Sequence, residues 1–154
     1  MTMRFPLSKA GAALFVLWGI LHVFAGGSFL MAAAGPDATL PSWDGSAAAP
    51  AGAAGPYLAQ HGFNLLWAGL FAAVVGAWLN WRNSRVGYWA NLAVVSLFDI
   101  GFVVFVLAPG HIPLEAGILG PILWLAAVAF ATAGYLREPE GAPAAKGGAG
   151  RATA

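Results

Sequence analysis

Polar residues along this chain fall in clusters, and between the clusters run four long apolar stretches. The first extends from about Ala10 to Ala33 and the second from about Tyr57 to Asn80; the third runs from Val86 to Ala108 and the fourth from about Ile118 to Leu136. Each is close to the roughly 20 residues that an α-helix needs to cross the hydrocarbon core of a bilayer. Membrane strands alternate apolar and polar residues and are about half as long, so these runs do not read as a barrel. No water is available in the hydrocarbon core, so each segment must satisfy its own backbone, which predicts helices. The pattern predicts an all-α integral membrane four-helix bundle over residues 1–137. The remainder, EPEGAPAAKGGAGRATA, reads as a disordered cytoplasmic tail over 138–154. The link from Gly35 to Pro56, rich in Ala, Gly and Pro, reads as an irregular loop, and Pro121 predicts a bend or cap in the fourth helix.

Composition supports the same class. Hydrophobic residues make up 60% of the 154 and charged residues 8%, whereas soluble domains carry about a quarter charged. So few charges cannot cover a water-facing surface, but a lipid-facing one needs none. Membrane lipids are therefore the expected surroundings. The net charge of +1 comes without a basic stripe, and no nucleic-acid partner is expected. The absence of cysteine excludes disulfides, thiolate metal sites, iron–sulfur clusters and cysteine nucleophiles.

The few charges set an orientation. Arg4 and Lys9 precede the first span, Arg82 and Arg85 lie between the second and third, and Arg137, Lys146 and Arg151 follow the fourth. The other two connections, Gly35 to Pro56 and Pro109 to Gly117, contain no Lys or Arg. By the positive-inside rule both termini are cytoplasmic, as expected of a multi-pass protein of a bacterial inner (plasma) membrane. Trp78, Trp81, Tyr88, Trp89 and Tyr135 mark the cytoplasmic interface, and Trp43 and Tyr57 the outer one. Arg4, Lys9, an apolar run and Ala32 to Ala34 also resemble a signal peptide with its cleavage site. That run exceeds the roughly 7 to 15 residues of a signal core, and it contains His22, so the first span is expected to be retained.

Against this background a few residues are out of place. The third span contains VVSLFDIGFVVFVL, with Asp99 as its one charge. An Asp at the centre of a membrane helix costs about 2.5 to 3.5 kcal/mol on insertion scales. Asp99 is therefore expected to face the bundle interior and to have a partner. The expected partner is His22, in WGILHVFAGG, where Gly19 and Gly26 share its face and allow a neighbouring helix to approach closely. At about 1.5 Å per residue, His22 and Asp99 both fall within roughly 5 Å of the midplane. The second span opens with QHGFNLLWAG, placing His61 near the outer interface and Asn64 a turn deeper. These four residues suggest a polar ladder from the outside to the midplane, for a small ligand or a proton-linked process. The plainer reading is that His22 and Asp99 form a hydrogen bond that only fixes helix packing, with Asn64 as interhelical glue.

Other chemistry finds little support. A bis-histidine haem needs both ligands at nearly one depth, whereas His22 and His61 differ by about 10 Å by helix rise. His22 and Asp99 supply two of the three or four ligands that a buried metal needs. A copper or zinc site at the outer surface from His61, His111 and Glu115 is the weaker alternative, because it depends on a flexible loop. No cofactor is expected. Trp67 and Trp124 read as packing aromatics, and Ser96 near Asp99 is a poor nucleophile. No nucleophile elbow, phosphate loop or zinc-protease motif occurs. The residues thus point away from an enzyme and leave two classes. One is a membrane protein that binds a small lipophilic ligand or a proton at His22 and Asp99. The other is an auxiliary or assembly subunit, whose Gly- and Ala-rich stripes would serve a membrane-protein partner or a homo-oligomer.

Four spans, a G-x-x-H-V on the first (Gly19, His22, Val23) and H-G-x-N opening the second (His61, Gly62, Asn64) resemble small bacterial four-helix membrane proteins of the DoxX-like kind. The resemblance implies the topology and does not assign an activity. Small multidrug exporters share the four-helix size, but their carboxylate lies on the first helix, where this chain has His22.

Overall fold

The computed structural model describes residues 6–34 and 55–137, and among these no strand occurs. The expected tail over 138–154 lies outside the described residues, as do Arg4, Trp43 and most of the link from Gly35 to Pro56. Helix α1 spans Leu7–Ala34 and α2 spans Gly55–Trp78, so α2 starts two residues before the expected Tyr57. A single 3-10 turn at Asn80–Arg82 reverses the chain into α3, Arg85–Phe102, which continues as a π-helical turn over Val103–Leu107. The short α4, Leu114–Gly117, leads into α5, Leu119–Arg137. Among the described residues four helical stretches are long and apolar enough to cross a membrane. Pro121 lies in the first turn of α5 and is buried, where its missing N–H costs no helical hydrogen bond.

The helices form an up-down-up-down bundle in which α1 packs against α2 and α5, and α3 closes the ring by touching those two from the far side. Helix α1 is thus diagonal to α3. Lys9, Arg82, Arg85 and Arg137 share one end of the bundle, the basic end.

Small residues at a spacing of seven decide the tightest contact. Ala12, Gly19 and Gly26 of α1 face Gly76, Gly69 and Gly62 of the antiparallel α2. A Cβ on Gly69 would lie 2.5 Å from the Gly19 carbonyl oxygen, and one on Gly26 would lie 2.5 Å from that of Gly62. The backbones therefore meet at a separation that no larger residue permits. The seven-residue spacing, close to two helical turns, keeps these positions on one seam of each helix. A second close contact joins α1 to α5 at the basic end, where Gly11 meets Ala131 and Gly134 meets Ser8. The Gly and Ala stripes that invited a partner or a second copy are thus largely consumed inside the bundle.

The half of the bundle nearer the basic end is filled. Phe15, Trp18, Ala72, Tyr88, Val95, Ala127 and Ala131 form its core. Polar bonds tie the helices laterally there. Asn91 donates to the Ala72 carbonyl at 3.3 Å and meets the Asn80 amide at 3.2 Å. The Tyr88 and Thr132 hydroxyls bond at 3.1 Å, and the Trp124 indole donates to Ser96 Oγ at 2.9 Å. The Trp124 bond also accounts for Ser96 as a structural acceptor.

Candidate functional site

Beyond Trp18 and Val95 the packing gives way to a cavity of about 490 Å³. All four long helices contribute to its wall. Leu21, His22, Ala25 and Phe29 come from α1, and His61 and Leu65 from α2. Phe98, Asp99, Gly101, Phe102 and Val106 come from α3 and its π turn, and Leu119, Gly120 and Pro121 from α5. Ile112, Ala116 and Gly117 line the side away from the basic end. The volume lies within the roughly 300–1,000 Å³ of small-molecule sites, and the mainly apolar wall with a few converging polar groups is typical of them.

The local fold explains why space is left. Gly101 and Gly120 bring no side chain into the wall. A Cβ on Gly101 would meet nothing within 4 Å, and the atoms nearest to one on Gly120 belong to Asp99 and His22, at 3.5 Å. The π turn begins four residues after Asp99 and bonds the Ala108 N–H to the Val103 carbonyl, five residues back. Such a turn widens the helix and rotates the residues beyond it, and it places Val106 on the cavity while Val104 and Phe105 stay exposed.

Asp99 sits at the inner end of this space, only 2% exposed. Its hydrogen-bond donor is not His22, as expected from the sequence, but the indole of Trp18, whose Nε1 donates to Oδ2 at 2.5 Å. Trp18 is one helical turn nearer the basic end than His22. It is fully buried and long enough to reach across the diagonal from α1 to α3. His22 stacks on the same indole, with ring centroids 3.6 Å apart and planes 21° from parallel. Its Nδ1 lies 2.9 Å from the Trp18 carbonyl oxygen. A carbonyl can only accept, so Nδ1 carries the proton. The two titratable groups are therefore joined through Trp18 rather than to each other. They remain neighbours, because the Gly120 Cβ position lies 3.5 Å from both Asp99 Oδ1 and His22 Cε1.

The remaining expected site residues separate. His61 lines the cavity, exposed on its other side, with its ring set edge-on to Phe29 at 5.2 Å. Asn64 does not line it. Its Oδ1 accepts instead from Trp67 Nε1, about one turn along α2, at 3.3 Å. The polar ladder thus loses its middle rung. His111 and Glu115 are exposed and stand outside the cavity wall. Among the described residues no three His, Asp or Glu side chains gather as a metal site, so His61, His111 and Glu115 do not form the outer copper or zinc site.

Trp18 is the residue that sequence reasoning passed over. Its signal was a position four residues before His22, which puts both on one helical face and brings an N–H donor to the depth of Asp99. A scan of protein-family models, a search of curated proteins and a search of solved structures find no match to this chain.

Proposed function

We propose that this chain is a multi-pass protein of a bacterial inner membrane. Its basic end lies in the cytoplasm, and it binds a small lipophilic molecule in the cavity between its four spans. Four apolar helices and the confinement of Lys9, Arg82, Arg85 and Arg137 to one end support the placement. The observation that carries the binding reading is a cavity of about 490 Å³, apolar except where Asp99, His22 and His61 enter it. If Asp99 served packing alone, its bond to Trp18 would suffice and the space beside it would be filled. Instead two glycines leave that space open, at the depth where an acidic group is most costly to keep. The topology and the G-x-x-H-V and H-G-x-N motifs also favour a relationship to the DoxX-like proteins.

The test is to extract the protein with its surrounding lipids and identify bound small molecules by mass spectrometry. The control is Gly120→Leu, which adds a side chain into the cavity. A compound retained by the native chain and lost from Gly120→Leu is the expected result. If the two proteins carry the same molecules in the same amounts, the binding reading fails and the polar group is a packing device.

A further inference from the structure

The chemistry of the ligand can be read from the polar atoms left open at the inner end of the cavity, on the reading that this cavity binds a small molecule. Asp99 Oδ2 is occupied by the Trp18 N–H, and among the described residues Oδ1 has no hydrogen-bond partner. His22 has committed its Nδ1 proton to the Trp18 carbonyl, so the neutral ring presents a lone pair at Nε2. Both open atoms point to the same place: the Gly120 Cβ position lies 3.5 Å from Oδ1 and 3.9 Å from Nε2. With Asp99 ionised the cavity therefore ends in two acceptors, one of them on a carboxylate that is 2% exposed.

The rest of the wall narrows the choice. Among the described residues no Lys or Arg lines the cavity, and Phe29, Phe98 and Phe102 do. A carboxylate or phosphate head would meet a carboxyl group with no cation to offset it. A hydroxyl head brings one proton to two acceptors and no charge. A quaternary ammonium brings charge but no N–H. A primary or secondary ammonium brings at least two N–H groups and the charge that a buried carboxylate lacks, and aromatic rings attract such a cation further. We propose that the ligand is an amphiphilic primary or secondary ammonium. Its N–H groups donate to Asp99 Oδ1 and His22 Nε2, and its apolar tail lies along Phe29, Phe102 and Val106.

Four probes that share a twelve-carbon tail separate these possibilities: dodecylammonium, dodecyltrimethylammonium, dodecanol and dodecanoate. Binding to the full chain in lipid nanodiscs is measured by calorimetry and by thermal shift, with Gly120→Leu used to subtract partitioning into lipid. Dodecylammonium is expected to bind at least tenfold more tightly than the other three and to raise the melting temperature. Asp99→Asn, which keeps an acceptor for Trp18 and removes the charge, is expected to weaken it by tenfold or more. Should Gly120→Leu not fold, Gly120→Ala serves instead, since its Cβ makes only ordinary contacts. Equal binding of dodecanol, dodecanoate or the trimethyl compound overturns the proposal, and so does dodecylammonium binding that Asp99→Asn leaves unchanged. If none of the probes distinguishes the native chain from Gly120→Leu, yet mass spectrometry finds a native compound that does, the ammonium class is wrong and the cavity reading stands. If neither measurement distinguishes them, both fail.

Discussion

A carboxyl group among apolar side chains keeps its place only if something donates to it, and here the donor is an indole that reaches across the bundle. The Trp18 to Asp99 bond is enclosed, with both residues at 2% exposure or less, so bulk water does not stand in for whichever partner is removed. Leaving one member of a buried hydrogen bond unsatisfied costs about 1–3 kcal/mol. Trp18→Phe removes the N–H and keeps an aromatic ring beside His22, so it is expected to destabilise the protein by about that amount. Asp99→Asn retains an oxygen that accepts from Trp18 and is expected to cost less. In an Asp99→Leu background the Trp18→Phe substitution should lose most of its effect, because the bond is already gone. Denaturant titrations of these variants in micelles check this. An equal cost of Trp18→Phe in both backgrounds would show that the indole contributes packing alone. At this scale the sequence was legible where a residue violates its surroundings. Asp99 and His22 stand out against apolar neighbours, and both line the cavity. The donor was passed over, because a tryptophan in an apolar span violates nothing and its place four residues before His22 gains meaning only once a partner is in place. Asn64 misled for the opposite reason. It is conspicuous in the sequence, but its rotation around α2 carries it to Trp67.

Between elements, the α1–α2 seam is held by what its residues lack. Gly19 and Gly69 oppose each other so closely that a Cβ on Gly69 would lie 2.5 Å from the Gly19 oxygen, well inside van der Waals contact. Gly69→Ala must therefore push the two helices apart, at a cost of about 1–3 kcal/mol for overpacking. Gly27 comes immediately after the seam residue Gly26, and its added Cβ would meet nothing within 4 Å. Gly27→Ala is expected to be neutral or stabilising by up to about 1 kcal/mol, as alanine favours the helix. Melting temperatures of the two variants form the comparison, and a Gly27→Ala loss as large as that of Gly69→Ala would contradict the seam. The helices themselves were readable because long apolar runs leave the backbone no alternative, and the close face of α1 was readable from Gly19 and Gly26. The π turn at Val103–Leu107 was not. Its extra residue per turn alters no hydrophobic pattern in a segment where every side of the helix is apolar, although it determines which side chains face the cavity.

At the scale of the whole molecule the two ends differ in charge and in aromatic content. At the basic end Lys9 lies over Trp81 at 5.5 Å, Arg82 over Trp78 at 5.9 Å and Arg85 over Tyr135 at 5.9 Å. Trp78, Trp81 and Trp89 are exposed there, where amphipathic rings settle at the headgroup level of a bilayer. The opposite end has His111 and Glu115 at its surface and no described Lys or Arg, and it is the end toward which the cavity lies. On the proposed placement, with the basic end in the cytoplasm, the cavity would lie in the half of the bundle nearer the periplasm, and a ligand would enter from that side or from the outer leaflet. The orientation can be measured directly because the chain has no cysteine of its own. Ser84→Cys is nearly isosteric, in the turn before α3 at the basic end. His111→Cys replaces an exposed residue at the other end. A maleimide that crosses the outer membrane but not the inner one should label His111→Cys in intact cells. It should label Ser84→Cys only after the inner membrane is opened. The reverse pattern would place the basic end outside and turn the cavity toward the cytoplasm. Labelling of both in intact cells would show that the chain does not separate two compartments in a single orientation.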